Sequence, residues 1–354
     1  MKRNVFIVFL LFLSVIAVIM AFTSREYPQS KRFAIVENKG AKRLDVLVDG
    51  KPFTSYIYPD DIMKPVLYPL RTAEGSFITR GWPMDPRPGE RVDHPHHVGM
   101  WFNYGDVNGL DFWNNSTDIA PEKKNHYGVI RHRKVNKIES GNDKAILDVT
   151  MDWQKPDGGN LLREDTRFIF SGSGNMRTIE RITKLTALQE DVSFKDNKEG
   201  VIGIRLARAL EHPSNKPEVF TDASGKATAV ARLSNEGVSG KYRSSEGKEG
   251  DDVWGTRGQW VNLNGIVDAK PVSLVMLDHP ENVGYPTYWH ARGYGLFSAN
   301  PLGQKEFSKG KEILDYKLPA GRSVTFRYKV LIHSGSHLTD EQVSAAFDQF
   351  SNTK

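Results

Sequence analysis

The chain has 354 residues, of which 39% are hydrophobic and 26% charged, ordinary values for a globular protein that exclude global disorder and a multi-span membrane protein. The net charge of +5 comes from scattered residues, which excludes a dedicated nucleic-acid-binding protein. The absence of cysteine excludes disulfides, thiolate metal ligands and a cysteine nucleophile.

Residues 1–24 have the layout of a signal peptide. Lys2 and Arg3 precede an apolar run over residues 5–22, after which the chain turns polar. The run is also long enough for an uncleaved membrane anchor, because about 20 apolar residues span a bilayer. In both cases we expect an exported protein, periplasmic or secreted, which meets a membrane only through residues 5–22 if they are retained.

From residue 32 onward, short β-prone runs alternate with clusters of Gly, Pro, Asn and Asp. Residues 177–185 and 323–332 alternate apolar and polar side chains, which is the period of a strand with one face in the core. The pattern predicts an all-β protein, a large antiparallel β-sandwich over about residues 32–335. We expect a single domain over residues 32–354.

One segment, residues 339–352, predicts a short C-terminal helix. Thr339 and Gln342 form a capping-box pattern, and apolar residues follow at the 3.6-residue spacing of a helix face. A single terminal helix cannot alternate with many strands, so a βαβ architecture is excluded. Residues 234–265 are rich in Gly, Ser and charge, and a loop of that length is usually functional or disordered, which makes Trp254 a candidate ligand contact.

Three of the ten histidines, His94, His96 and His97, fall within four residues. In an extended segment His94 and His96 would face one way and His97 the other, and such a pair can bind a divalent metal with carboxylate help. Equally, a neutral imidazole held by a carboxylate such as Asp93 is a natural general acid or base. A third interpretation is that Pro95 bends a turn and the imidazoles bond only backbone groups.

A predicted hairpin follows this cluster. Asn108 and Gly109 form a strong turn signal that would fold residues 101–104 back beside residues 110–113. Rings mixed with Asn and Asp are typical of sugar sites, although the same rings could simply be core. The candidate contacts are Trp101, Asn103, Asp106, Asn108 and Asp111.

A second cluster follows the strand-like residues 272–277. Asp278 and His279 would lie where that strand enters a loop, a common place for functional residues. Further along, the candidates are Trp289, His290, Arg292 and Asn300. We expect His279 and His290 to converge with the first histidine cluster.

A third element is a turn that carries Lys198 and Glu199 before a predicted strand containing Arg205. Glu199 could supply a carboxylate, and Arg205 could clamp an acidic sugar. The alternative is a solvated Lys-Glu pair.

Several of these strings together resemble one known family. They are residues 91–102 (RVDHPHHVGMWF), 105–113 (GDVNGLDFW), 198–200 (KEG), 278–280 (DHP) and 286–290 (PTYWH). They are similar to the exported bacterial family labelled "methane oxygenase PmoA-like", a domain of unknown function of the DUF6807 type. Its members tend to occur in polysaccharide-degrading bacteria, so the resemblance implies sugar chemistry. The oxygenase activity does not follow, because methane monooxygenase subunits are helical membrane bundles and this chain is β-rich.

We therefore predict an exported carbohydrate-active enzyme that uses His and carboxylate acid/base catalysis, as an epimerase, lyase or hydrolase, on a small-molecule or oligosaccharide substrate. His96 and His290 would be the acid/base partners and Asp278 the orienting carboxylate. The predicted substrate contacts or metal ligands are His94, His97 and His279, and the predicted stacking plates are Trp101 and Trp289. A large sandwich with such groups matches the mutarotase-like supersandwich by analogy of architecture.

Two other functions remain open. A non-catalytic glycan-binding protein would need the rings and the Asn and Asp residues but not the histidines. A metal-dependent oxidoreductase would use His94 and His96 with a third ligand. No cofactor is firmly predicted, and the candidate cofactor is a divalent metal with His and carboxylate ligands.

Overall fold

Two eight-stranded antiparallel sheets lie face to face, which confirms the predicted β-sandwich. The structure is a computed structural model that describes residues 31–230 and 234–353, so the predicted signal segment lies outside the described residues. In chain order the strands are β1 (Phe33–Asn38), β2 (Arg43–Val48), β3 (Lys51–Ile57), β4 (Val66–Leu67), β5 (Met100–Tyr104), β6 (Val129–Glu139), β7 (Lys144–Gln154), β8 (Asn160–Ser171), β9 (Met176–Ala187), β10 (Val192–Phe194), β11 (Gly200–Arg205), β12 (Glu218–Thr221), β13 (Ala227–Val230), β14 (Lys241–Ser244), β15 (Trp260–Val267), β16 (Lys270–Asp278), β17 (Tyr288–Arg292), β18 (Leu296–Asn300), β19 (Tyr316–Leu318) and β20 (Ser323–Ser334).

The strand order separates the two sheets. The first sheet runs β1-β2-β3-β4-β5-β11-β18-β17, and the second runs β14-β15-β16-β20-β9-β8-β7-β6. Two short strand pairs, β10 with β19 and β12 with β13, lie outside these two sheets. Both predicted alternating segments lie within long strands of the second sheet, β9 and β20, which pair over eleven residues.

The core fills the space between the sheets. On β5 the side chains of Met100, Phe102 and Tyr104 point into it, and the ring of Phe102 lies 5.7 Å from that of Phe326 on β20. Because side chains alternate along a strand, Trp101 and Asn103 lie on the opposite face of the first sheet. That outer face carries the site described below.

The described residues contain two α-helices: α1 (Gln304–Phe307) follows β18 of the first sheet, and α2 (Asp340–Ser351) follows β20 of the second sheet. The predicted C-terminal helix is confirmed as α2, and its predicted capping box forms, with Thr339 and Gln342 each bonding the other's backbone. Its apolar face, with Val343, Phe347 and Phe350, packs on the outer side of the second sheet. Within the described ranges, no helix has both the length and the apolar character needed to cross a membrane.

The expectation of one long loop over residues 234–265 is wrong. The segment contains β14, a 3₁₀ turn over Gly250–Val253 and the first part of β15, where Trp260 is buried. Its glycines and serines serve the tight turns between these elements. Trp254, directly after the 3₁₀ turn, remains partly exposed.

A buried ion pair in the second sheet joins Glu164 and Arg181. The Glu164 carboxylate accepts hydrogen bonds from Arg181 at 2.5 Å, from the Trp153 indole at 2.8 Å and from the Thr166 hydroxyl at 2.7 Å. Glu164 and Arg181 are both buried, and the guanidinium lies 5.0 Å from the ring of Phe102. A buried pair of this kind is stable only while each charge keeps its partner.

Replacing Glu164 by Ala should therefore lower the free energy of unfolding by about 3–5 kcal/mol, because the buried Arg181 charge loses its counter-ion. Urea denaturation of the two proteins measures the difference. Thr339→Ala, which removes only the cap of α2, is the matched comparison and should cost about 1 kcal/mol. Equal, small losses in the two variants would contradict the assignment.

Candidate functional site

The outer face of the first sheet is polar where β5, β11, β18 and β17 lie side by side. Trp289 and Ala291 on β17 face the core, so His290 and Arg292 lie on the other side. The same alternation places Arg205 of β11 on this face, beside the segment that contains the histidine cluster. Residues from three parts of the chain therefore meet there.

Asp93 is the centre of this meeting point. Its Oδ1 accepts hydrogen bonds from Arg80 and, at 2.6 Å, from Arg205, and its Oδ2 lies 3.0 Å from Nδ1 of His94. Both arginines are buried. Burial by itself would raise the pKa of Asp93, but the His94 hydrogen bond and the two guanidinium charges outweigh it and hold that pKa well below its usual range. Asp93 is therefore a permanent carboxylate.

Arg80 also fixes the backbone of the cluster. Its guanidinium donates to the carbonyl oxygens of Arg91 at 3.1 Å, His94 at 3.1 Å and His97 at 3.3 Å. The turn that results closes with a hydrogen bond from the His97 amide to the His94 carbonyl at 2.9 Å. His94 adopts a φ of 46°, in the left-handed region that non-glycine residues rarely occupy.

This turn overturns the expected orientation of the three imidazoles. The rings of His94 and His97 are stacked, with centroids 4.8 Å apart and planes 3° from parallel, while His96 lies edge-on to both. The reason is that residues 94–97 form a turn and not an extended segment. The stack continues on both sides, to Tyr294 at 5.2 Å from His94 and to Trp101 at 5.0 Å from His97.

His94 is the accessible member of the cluster, with 41% of its side chain exposed. His97 is buried inside the stack, so its predicted substrate contact is not available, and burial lowers its pKa well below the usual value. Burial also lowers the pKa of His96, to about 2, with the Lys64 charge adding to the effect. His96 and His97 are therefore neutral imidazoles, and the Nε2 atom of each is buried without a hydrogen-bond partner in the described part of the chain.

Glu199 and His290 form the opposite part of the site. Oε2 of Glu199 lies 4.0 Å from Nδ1 of His290, and that Nδ1 donates to the Lys198 carbonyl at 3.0 Å. Burial raises the pKa of Glu199, and the positive charges of Lys198 and His94 oppose this rise. Burial lowers the pKa of His290 to about 3, and the charges of Arg292 and His94 contribute. His94, Glu199 and His290 thus share one electrostatic environment.

A cleft of about 630 Å³ lies beside this group. Tyr294, on which His94 stacks, forms part of its wall, together with Trp254 and Arg292. The Arg292 guanidinium lies 5.3 Å from the Trp254 ring. Other wall residues are Arg91, His212, Asn215, Glu218 and Asp251.

Asp278 and His279 do not join the site. Asp278 is the last residue of β16 in the second sheet, fully buried, and it accepts hydrogen bonds from the Asn282 amide at 2.7 Å and the Thr287 backbone at 2.9 Å. His279 packs against Phe350 of α2. The predicted orienting role of Asp278 and the predicted convergence of His279 are corrected: both residues anchor a loop and the C-terminal helix.

The two predicted stacking plates are also corrected. Trp289 is fully buried on the core side of β17 and donates to the Gly258 carbonyl at 3.1 Å. Trp101 lies on the outer face, but His97 and Trp113 cover its ring. Neither indole has an exposed face for a sugar, whereas Trp254 and Tyr294 do line a cleft.

The hairpin residues have mainly structural partners. The turn at Asn108 and Gly109 forms, and Asn108 bonds the backbone of Asp191 and Ser193 beyond it. The remaining predicted contacts have the following partners: Asp106 accepts from the Gly109 amide, Asp111 from the Trp113 and Asn114 amides, Asn103 donates to Phe112, and Asn300 donates to Asn197. Arg205, the predicted clamp for an acidic sugar, instead binds Asp93.

The possible metal ligands His94 and His96 have ring centroids 5.7 Å apart in an edge-on arrangement. In residues 31–230 and 234–353, no group of three or more His, Asp or Glu side chains is arranged to hold a metal ion.

Sequence reasoning missed three residues of the site, Arg80, Lys64 and the ring of Tyr294 as the partner of His94. Arg80 is isolated in sequence, and only its burial and its five acceptors identify it. Tyr294 lies two residues after the predicted contact Arg292, between Gly293 and Gly295, and that position was a weak signal for it.

The depressed pKa of His290 predicts a pH-dependent stability. In the unfolded chain an imidazole takes up a proton below about pH 6.5, whereas folded His290 stays neutral down to about pH 3. The free energy of unfolding should therefore decrease as the pH is lowered from about 6.5 to about 3. In His290→Asn the dependence of this free energy on pH should be smaller by up to about 1.4 kcal/mol per pH unit. Urea denaturation at several pH values measures it. His126→Asn, an exposed histidine, is the control, and an unchanged slope in His290→Asn would contradict the prediction.

Solved structures of sugar enzymes share a distant likeness with this chain. A GH36 α-galactosidase from Geobacillus stearothermophilus is 10% identical with a TM-score of 0.39, over 86% of this chain and 41% of that one. A galactose 1-epimerase from Lactobacillus acidophilus is 12% identical with a TM-score of 0.32, over 86% of this chain and 98% of that one. This chain thus spans less than half of the α-galactosidase. Similarities at these scores carry no argument about activity.

No curated protein matches the chain. A family of unknown function, DUF6807, matches residues 43–348, which include all the residues of the site and nearly all of both sheets. The chain therefore belongs to the DUF6807 family.

Proposed function

We propose that the protein is a carbohydrate-active enzyme in which His94 is the general base and Glu199 the general acid, acting on a sugar held in the cleft beside Tyr294 and Trp254. The observation that carries the proposal is the Asp93–His94 pair: an accessible imidazole hydrogen-bonded to a carboxylate that two buried arginines keep ionised. This replaces the pairing of His96 with His290 that the sequence suggested.

The pair defines the chemistry of His94. A carboxylate only accepts hydrogen bonds, so Nδ1 of His94 carries a proton, and in the neutral imidazole the lone pair is on Nε2. No described residue bonds to that Nε2, and it is therefore available to remove a proton from a substrate. Asp93 then stabilises the imidazolium that forms, as a carboxylate does in a catalytic triad.

Glu199 is suited to be the general acid that complements the base His94. Its raised pKa favours the protonated carboxyl, which can donate to a leaving or ring oxygen. Two groups whose surroundings separate their proton affinities are the usual basis of acid/base assignments. His290, a neutral imidazole beside Glu199, is a hydrogen-bond partner for a substrate hydroxyl and not the catalytic acid.

The cleft suits a sugar in size and composition. Its volume of about 630 Å³ lies within the range of small-molecule sites. Trp254 and Tyr294 provide rings for the C–H faces of a pyranose, and Asn215, Asp251 and Arg292 provide donors and acceptors for its hydroxyls. Epimerisation, elimination and hydrolysis of a sugar all use proton transfer by an acid and a base.

We expect His94→Ala and Glu199→Gln each to lower kcat at least about 100-fold, because each removes a proton-transfer group. Three assays cover the reaction classes: polarimetry of fresh aldose solutions for epimerisation, ultraviolet absorbance of unsaturated products for elimination, and release of reducing ends for hydrolysis. Wild-type turnover in one of them sets the reference. In the wild-type protein, activity should fall at high pH because Glu199 loses its proton. In Glu199→Gln the remaining activity should not show this fall.

The exposed His126→Ala is the matched control and should keep wild-type kcat. A folded His94→Ala protein with full turnover would refute the base assignment. Sugar binding with no turnover in any assay would favour the alternative of a non-catalytic glycan-binding protein.

We also propose that the enzyme works outside the cytoplasm. Support comes from the basic residues Lys2 and Arg3 before the apolar residues 5–22. Cell fractionation and N-terminal sequencing of the recovered protein test this, and recovery of the intact chain from the cytoplasm alone would contradict it.

A further inference from the structure

A second pocket, of about 310 Å³, is lined in part by Pro95 and His96 of the histidine turn. Its lining includes Lys64, His96, Trp82 and Met84, together with the polar side chains of Asn115 and Ser116. It shares no lining residue with the cleft beside Tyr294. The proposed acid/base chemistry of His94 does not use it.

Lys64 is an unusual group for such a place. Only 3% of the residue is exposed, its Nζ donates to the His96 carbonyl at 2.7 Å, and it lies 5.5 Å from the Trp101 ring. No carboxylate in residues 31–230 or 234–353 lies within ion-pair distance of it. A buried amine without a counter-ion favours its neutral form, which has a free lone pair.

The titratable groups around Lys64 agree with this. Burial lowers the pKa of Lys64 to about 7, and Asp111 is the carboxylate that opposes the shift. His96, which lines the same pocket, is neutral, and its Nε2 is buried without a hydrogen-bond partner among the described residues. Asp61 and Asp118 complete the charged lining. The pocket thus combines a desolvated amine with a hydrogen-bond acceptor.

The lining also indicates the class of ligand. Two carboxylates, Asp61 and Asp118, disfavour an anion, while Asn115 and Ser116 provide partners for hydroxyl groups. The volume is at the lower end of the range for small-molecule sites. A small, uncharged, hydroxylated compound fits these features, and a carbonyl group is what a neutral amine attacks.

We propose that Lys64 is a nucleophilic amine that captures a small hydroxylated aldehyde or ketone as a Schiff base in this pocket. The nitrogen lone pair attacks the carbonyl carbon and forms a carbinolamine, whose hydroxyl can donate to Nε2 of His96. Loss of that hydroxyl as water, with a proton from nitrogen, leaves the C=N bond. One amine and one carbonyl compound give one imine and one water, and no oxidant or reductant is needed.

Reductive trapping tests the proposal on the full chain. The protein is incubated with glyceraldehyde and cyanoborohydride, and modified lysines are located by peptide mass spectrometry. Lys64 should be labelled at least about tenfold faster at pH 7 than Lys39, whose side chain is 83% exposed, because an ordinary lysine is almost fully protonated there. The rate at Lys64 should level off above about pH 8, whereas the rate at Lys39 should keep rising.

Three variants complete the test. His96→Phe should slow labelling of Lys64 without changing that of Lys39, and Lys64→Met should remove the fast-labelled peptide. His94→Ala should label at the wild-type rate, which separates this proposal from the proposed function of the cleft. Labelling of Lys64 no faster than Lys39 in the folded wild-type protein would overturn the proposal.

Discussion

The ion cluster around Asp93 is the interaction on which the site depends. One carboxylate balances two buried guanidiniums, Arg80 and Arg205, that arrive from different parts of the chain. Because a buried charge without a partner is strongly unfavourable, the three groups hold one another in place. Arg205 belongs to the first sheet and Arg80 bonds the carbonyls of the histidine turn, so the cluster attaches that turn to the sheet.

This attachment gives three neighbouring histidines three different environments. His94 remains accessible and bonds the shared carboxylate, His97 is buried in the ring stack, and His96 faces the pocket that contains Lys64. The left-handed backbone of His94 is tolerated because Arg80 fixes the carbonyls on both sides of the turn. Residues of the same type and nearly the same position thus acquire different chemistry.

The sequence predicted several segments of the candidate site, but the structure places some of the predicted residues elsewhere. The two segments that the sequence singled out, residues 91–104 and the turn at Glu199, both contribute to the outer face of the first sheet. The prediction for Asp278 was wrong because this residue ends a strand of the second sheet, and a sequence does not reveal which sheet a strand joins. The prediction that Trp101 and Trp289 stack on a sugar was wrong because both are buried. Aromatic rings near polar residues occur both in sugar sites and in cores, and only their burial distinguishes the two.

What the sequence determined by itself was the set of local structures. Alternating apolar residues specify the long strands, and the Thr339 capping box specifies the terminal helix, because both depend only on neighbours along the chain. The tertiary structure alone decided that Arg80 and Arg205 meet Asp93, that Lys64 is buried without a counter-ion, and that His94 is the exposed imidazole. Those properties depend on desolvation and on charges brought together across more than a hundred residues of chain, which no local pattern encodes.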